Sequence, residues 1–516
     1  VKRRTVRLGI VLPALLLLAA APASAQPIPD HPSKLHFDPI AFEPPVAAQY
    51  QHQLKNGMVV FFAEDRTLPL VNISLLMRVG SYLEPAGKEG LAGMVGSQMR
   101  RGGTRELGAD ELDEQLDFLA AQVATGIGDT SGSAHLNCLA DNLDQSLRLF
   151  VQVLREPRFQ EDRLELAKRQ TLQQLEKRND DSADIEAYEW GALLYGEQHL
   201  TNRFVTGASL QSLTREDLVA FHRQWVHPAR MVAAVSGAIT LEEALQKLEV
   251  AFADWPTPAP EVPPVPGDIH PAAPGLYRID KDVNQGRVSI GLPTVTRDSP
   301  DVYALEVMNE ILGGGGFTSR ITRTVRSNEG LAYSAGSGLS VGIYYPGRFR
   351  AAFQSKSATV AYATELVLDE IRKMREGPVT DDELETVKRS LVETFPSSFA
   401  SKAQSMAIFA GDELTGRDPS YWTRYRDRIR AVTAADVQRV ARQYLVPEKM
   451  ILLVVGNLAE IDKGDGQHAV TLAELAGGRV TDLPLRDPLT MKRPDAAVSG
   501  SPRASSGRSR PGRVRR

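Results

Sequence analysis

Apolar and polar positions along this chain fall into two alternating registers. In GMVVFFAE (57–64) and LVNISLLMRVGS (70–81), β-branched and apolar residues run together on either side of the polar DRTLP, which predicts a pair of strands. SADIEAYEWGALLYGEQ (182–198) and SYWTRYRDRIRAV (420–432) instead carry helical periodicity. Strands followed by long helical runs predict an α+β fold, with helices packed on one face of a mixed, mainly antiparallel sheet.

The pattern is written twice. SLTREDLVAFHRQWVHPARMVAAVSGAI (212–239) aligns without a gap on AVTAADVQRVARQYLVPEKMILLVVGNL (431–458). Each reads as a helix capped by Thr214 or Thr433, then a proline turn and a buried strand ending at Gly237 or Gly456. FQEDRLELAKRQTLQQL (159–175) and VTDDELETVKRSLVETF (379–395) share a Lys-Arg dipeptide and apolar spacing at nearly the same offset. Together they imply an internal duplication of roughly 220 residues. Eight prolines between Pro256 and Pro274 mark a stiff linker (256–272). It separates expected domains at 47–255 and 273–460, flanked by extensions at 26–46 and 461–497.

Composition narrows the function classes. Among 516 residues, 60 Lys and Arg nearly balance 64 Asp and Glu, and the net charge of -4 gives no reason to expect nucleic acid or an anionic membrane as partner. VKRRTVRLGIVLPALLLLAAAPASAQ (1–26) has the basic start, short apolar run and small-residue exit of a secretory signal peptide, with cleavage expected after Ala25. A periplasmic protein with no transmembrane segment after cleavage is the expectation, and an uncleaved anchor the alternative. Cys138 is the only cysteine, which rules out an internal disulfide. Residues 498–516 carry six arginines and no acidic or large aromatic residue, the composition of a disordered basic tail.

The stretch GLAGMVGSQMRRGGT (90–104) resembles the signature helix of the pitrilysin/insulinase zinc peptidases. That family's H-x-x-E-H places two imidazoles on one helix face to bind zinc, with the Glu acting on the attacking water. Here those positions hold Gly93, Gly96 and Ser97, and the family's remaining ligand, a Glu on a later helix, falls at Gln174. Two glycines, a hydroxyl and an amide do not make a zinc site, so no metal cofactor is expected in this chain. The nine histidines supply no H-x-x-E-H or H-E-x-x-H elsewhere, and no Ser or Cys nucleophile with a placed base is evident.

The second half retains what the first has lost. NEILGGGGFTSRITRTVRSNEGLAYSAGSGL (309–339) resembles the family's C-terminal signature, in which an Arg is followed after seven residues by a Tyr, here Arg326 and Tyr333. The resemblance implies that this pair reaches substrate bound at a zinc site and stabilises its carbonyl oxygen. Gly313 to Gly316 are expected to form a tight turn, since glycine accepts positive φ cheaply. The run lacks the Lys-Ser/Thr of a phosphate loop.

The resemblance spans about residues 47 to 460, and the family includes heterodimers in which one subunit has the zinc motif and the other the Arg/Tyr pair. It therefore implies a non-catalytic subunit of an exported, peptide-degrading zinc peptidase, with zinc held by an H-x-x-E-H partner and Arg326 and Tyr333 acting in trans. The competing reading is a structural or peptide-binding scaffold. GDTSGSAHLNCLA (128–140) is expected at a sheet edge, either taking peptide as an added strand or as plain structure.

Overall fold

The computed structural model describes residues 41–253, 255 and 261–494, together with 31, 34 and 35. The expected leader, the start of the linker and the basic tail lie outside the described residues. The chain divides after Phe42, and all that follows concerns Glu43–Arg516.

The first half contributes β1 (Gln51–Gln53), β2 (Val59–Glu64), β3 (Leu70–Met77), β4 (Gln122–Ile127), β5 (Gly132–Leu139) and β6 (Met231–Gly237). Helices α1 (Leu91–Arg101) and α2 (Ala109–Phe118) precede β4. Between β5 and β6 come α3 (Leu143–Arg155), α4 (Glu161–Glu176), α5 (Ser182–Tyr195), α6 (Gly207–Ser212) and α7 (Arg215–Trp225), and α8 (Leu241–Phe252) follows β6. The second half repeats the plan with β7 (Gly275–Asp280), β8 (Gln285–Pro293), α9 (Val302–Asn309), β9 (Ala332–Ser340) and β10 (Arg348–Lys356). Then come α10 (Val360–Glu376), α11 (Asp381–Thr394), α12 (Lys402–Thr415), α13 (Tyr421–Ala431), α14 (Ala434–Tyr444) and β11 (Ile451–Gly456). Short helices α15 (Leu458–Lys463) and α16 (Leu472–Leu475) lead to β12 (Val480–Asp482).

Strand order is β1-β2-β6-β3-β5-β4 in one sheet and β12-β7-β11-β8-β10-β9 in the other. Only β2/β6, β7/β11 and β7/β12 pair in parallel. The duplication is thus visible in five strands of each sheet, the outer β1 and β12 differing in chain position and direction, and the expected α+β class holds. The duplicated helix starts are built alike as well. The Thr214 hydroxyl accepts the Asp217 N–H at 3.2 Å and the Thr433 hydroxyl that of Asp436 at 3.1 Å, each Asp answering the threonine's own N–H.

One helix of each half serves the other half's sheet. Ile185, Trp190, Leu193 and Leu194 of α5 bury against Ile279, Ile451, Leu453 and Val455 of the second sheet. In return α12 lies on β2, β3 and β6, where Phe409 meets Phe61 at a ring separation of 5.8 Å. Because α5 covers β11 and β8, it leaves the same face of β10 and β9 open.

Residues 128–140 do not lie at the expected sheet edge. β5 pairs with β3 on one side and β4 on the other, so it is interior, and the edge strand beside it is β4. Small polar residues reflect an interior strand with one open face rather than an edge. No helix of the described residues is long and apolar enough to cross a membrane.

Candidate functional site

Two structurally equivalent places carry the motif residues: α1 against edge strand β4, and the end of α9 against edge strand β9. At the first, α1 forms because Leu91, Met94, Val95, Gln98 and Met99 bury one face. Its N-cap, Gly90, has no side chain to offer, and the buried Glu84 substitutes, accepting the Gly90 N–H at 3.2 Å and the Ala92 N–H at 2.7 Å. Burial pushes the Glu84 carboxyl up to about 6, against the pull of those two N–H groups.

Gly93 is exposed with open space where a side chain would begin. Gly96 is buried, and a Cβ there would overlap the backbone nitrogen of Ile127 and lie 2.8 Å from the Gly126 carbonyl carbon. The Thr125 hydroxyl fastens this contact, donating to the Gly96 carbonyl at 2.6 Å. Ser97 spends its hydroxyl on the Met94 carbonyl at 3.1 Å, and Gln174 is exposed on α4. These residues do not fit a zinc ion: besides lacking donors, the helix sits so close to β4 that no side chain fits at the position of the family's Glu. Among the described residues, no group of three or more His, Cys, Asp or Glu is placed to hold a metal.

At the second place the helix widens from α9 into a π-helical turn, Glu310–Gly314, followed by a 3-10 turn, Gly316–Thr318, and a second π-helical segment, Thr322–Asn328. The expected explanation of the glycine run needs correction. Only Gly316 has positive φ, at 64°. Gly313 is required by close approach, since a Cβ there would overlap the Ser337 nitrogen of β9, as Gly96 does with β4. Thr322 donates to the Ala335 carbonyl at 2.7 Å and Ser337 to the Asn309 side chain at 2.9 Å, so the helix is stitched to β9. Arg320 forms a bidentate pair with Glu383 of α11, both bonds 2.7 Å, which anchors the motif from behind.

Arg326 and Tyr333 come together. The Arg326 guanidinium carbon lies 4.8 Å from the centre of the Tyr333 ring and 4.5 Å from that of Phe317, sandwiched between two exposed aromatics. Tyr333 is 86% exposed, which excludes the half-buried strand residue such spacing usually gives. No ion pair of Arg326 occurs among the described residues. The sandwich holds the charge by cation–π attraction and leaves guanidinium N–H groups for an external acceptor.

Beside this pair, a cavity of about 560 Å³ runs along β9 and over β10, lined by Phe317, Arg326, Ser334, Ser337, Arg348 and Arg350 among others. β9 is AYSAGSGLS and pairs with no strand but β10, so it is the edge of its sheet at this groove, where Thr322 already takes the Ala335 carbonyl. Phe317 and the β10 arginines escaped the sequence reading, although the R-x-R spacing of Arg348 and Arg350 places both on one strand face.

Fold and site together define a duplicated α+β protein of peptidase type, with one motif helix closed onto its strand and the other opening on a furnished edge. Two family models match along the chain: insulinase (peptidase family M16) over residues 59–202 and the peptidase M16 inactive domain over 212–391. The chain belongs to the M16 (pitrilysin/insulinase) family. A Helicobacter pylori protein described as the non-peptidase homolog YmxG is 27% identical over 342 residues, covering 65% of this chain and 77% of its own. An uncharacterized zinc protease of Streptomyces coelicolor is 24% identical over 365 residues, covering 69% and 79%. The crystal structure of a peptidase M16 inactive domain from Pseudomonas fluorescens is similar with a TM-score of 0.70 at 24% identity, covering 79% of this chain and 97% of that one.

Proposed function

We propose that this chain is the metal-free subunit of an exported heterodimeric zinc peptidase, and that Arg326 and Tyr333 act on peptide bound at the partner subunit's zinc site. The observation that carries the reading is the contrast between the two motif places. Gly96 closes the first, while at the second Arg326 is held between Phe317 and Tyr333 beside an open strand edge. The partner's zinc supplies Lewis-acid chemistry and an activated water. This chain supplies a guanidinium and a phenol O–H to the oxyanion that forms as the peptide carbonyl is attacked. One such donor lowers the barrier by about 3–4 kcal/mol, roughly a hundred- to a thousandfold in rate. The groove along β9 accepts peptide main chain as an added strand. The leader-like start of the sequence supports export to the periplasm, and the H. pylori relative described as a non-peptidase homolog supports inactivity alone.

The test is turnover of a quenched peptide library by the purified chain, alone and with a co-exported family member bearing H-x-x-E-H. Silence alone, and activity with the partner above the partner's own, is the expected result. Tyr333→Phe should slow the pair by about a hundredfold while leaving assembly intact. Normal turnover by that variant removes the trans role, and no gain from a bound partner leaves a scaffold. Activity of the chain alone that a chelator abolishes overturns the reading of Gly93, Gly96, Ser97 and Gln174.

A further inference from the structure

The two open sheet faces differ in charge. On the first sheet, the face of β3 and β5 next to edge β4 is neutral and self-satisfied: His135 shares a 2.9 Å hydrogen bond with Ser74, and the Asn137 amide donates to Asn72 at 2.6 Å. On the second sheet the equivalent face carries Arg348 and Arg350, with Arg326 at the edge, and no Asp or Glu lines the cavity they share. Arg350 is partly spoken for, since it pairs with Glu186 of α5 at 2.9 Å. Arg326 and Arg348 have no ion pair among the described residues. An adjoining cavity that shares Ser340 and Arg348 with the first has one carboxylate in its lining, Asp129.

The two unpaired cations sit at opposite ends of one strand. Arg326 stacks on Tyr333 near the start of β9, and Arg348 lies opposite Ser340 at its end. A strand rises about 3.4 Å per residue, so the charges mark a span of roughly seven residues of added peptide.

We infer that the β9 groove selects extended acidic peptide segments, whose main chain pairs with the free edge while side-chain carboxylates near each end meet Arg326 and Arg348. The inference rests on the proposed peptide-binding role of this groove and adds the chemical class of what it takes. Carboxylate fits on three counts: guanidinium binds it through paired N–H donors, the lining offers no competing anion, and a basic segment would meet repulsion at both ends.

The experiment uses the full mature chain and fluorescent ten-residue peptides of one length, blocked at both termini so that only side chains carry charge. One set places Glu at two sites six residues apart, an even spacing that keeps both carboxylates on one face of the extended peptide, with Lys or Gln at the same sites as comparison. Fluorescence anisotropy should show the Glu peptide binding at least tenfold tighter than the Lys peptide at low salt, with the difference shrinking as salt rises. Arg348→Glu should abolish or reverse the preference. N-methylation of alternate backbone nitrogens in the Glu peptide should abolish binding with its charge intact. Equal binding of the three peptides, a preference that survives Arg348→Glu, or full affinity of the N-methylated peptide each overturns the proposal. The two readings fail separately: an acidic preference with turnover indifferent to Tyr333→Phe keeps this site and removes the trans role. Activation of a partner without any charge preference does the reverse.

Discussion

Gly93 and Gly96 stand three positions apart on one helix, yet they are glycines for opposite reasons. At Gly93 there is open space, and nothing in the structure asks for glycine. At Gly96 the backbone of β4 fills the place of a side chain. Gly93→Ala should therefore stabilise the protein by about 0.5–1 kcal/mol through helix propensity. Gly96→Ala should cost about 2–3 kcal/mol by overpacking against backbone that cannot move aside. Paired urea melts decide this, and equal effects of the two substitutions would refute the closed-site description. The lost ligands were legible in the sequence from the flanking Gly-Leu-Ala and Gly-Gly-Thr. The closure was not, because strand-to-helix distance is set by long-range pairing that Gly96 permits but does not announce. Arg326 and Tyr333 were likewise legible as a pair, whereas the stacking of Phe317 on Arg326 depends on how the segment after Gly316 turns.

At the scale of elements, α1 shows how a helix lacking its own cap is held. Glu84 reaches from the preceding loop to the Gly90 and Ala92 N–H groups, and burial raises its carboxyl from 4.5 to about 6. The folded state then holds the proton more tightly than the unfolded chain does. Stability contributed by this group is present below pH 4.5 and is lost as pH rises through about 6. Glu84→Gln keeps an acceptor for both N–H groups and removes the buried charge. We expect it to abolish that decline and to gain about 1–2 kcal/mol at pH 7 to 8, read from urea melts across pH. A variant less stable than the parent at pH 8 would mean that the charge-assisted cap outweighs its burial. The duplicated helices α7 and α14 were legible through their capping threonines, since that signal is local. The interior position of β5 was not, because alternating small and polar residues describe an open face equally well in an edge or an inner strand.

Across the whole molecule, the exchange of α5 and α12 makes the two halves one cooperative body. A strap after β12 adds to the tie: Arg486, only 5% exposed, pairs with the fully buried Glu189 of α5 at 2.8 Å and with Glu197 at 2.6 Å. Cleavage at a protease site introduced in the linker should leave the halves together on a sizing column. Trp190→Ala should lower the single unfolding transition by about 3–5 kcal/mol instead of splitting it. Halves that part on the column, or two separate transitions, would refute the coupling. The sequence by itself determined the first strand pair, the strands ending at Gly237 and Gly456, the capped helices before them, the duplication and the missing ligands, because each is written in local spacing or in residue type. Only the tertiary structure decided which sheet each helix covers, which edges stay open, and that Arg326, Phe317 and Arg348 line one groove with Tyr333 stacked on Arg326. Those outcomes follow from packing between segments hundreds of residues apart, where the amphipathic face of α5 is the same whichever half it serves.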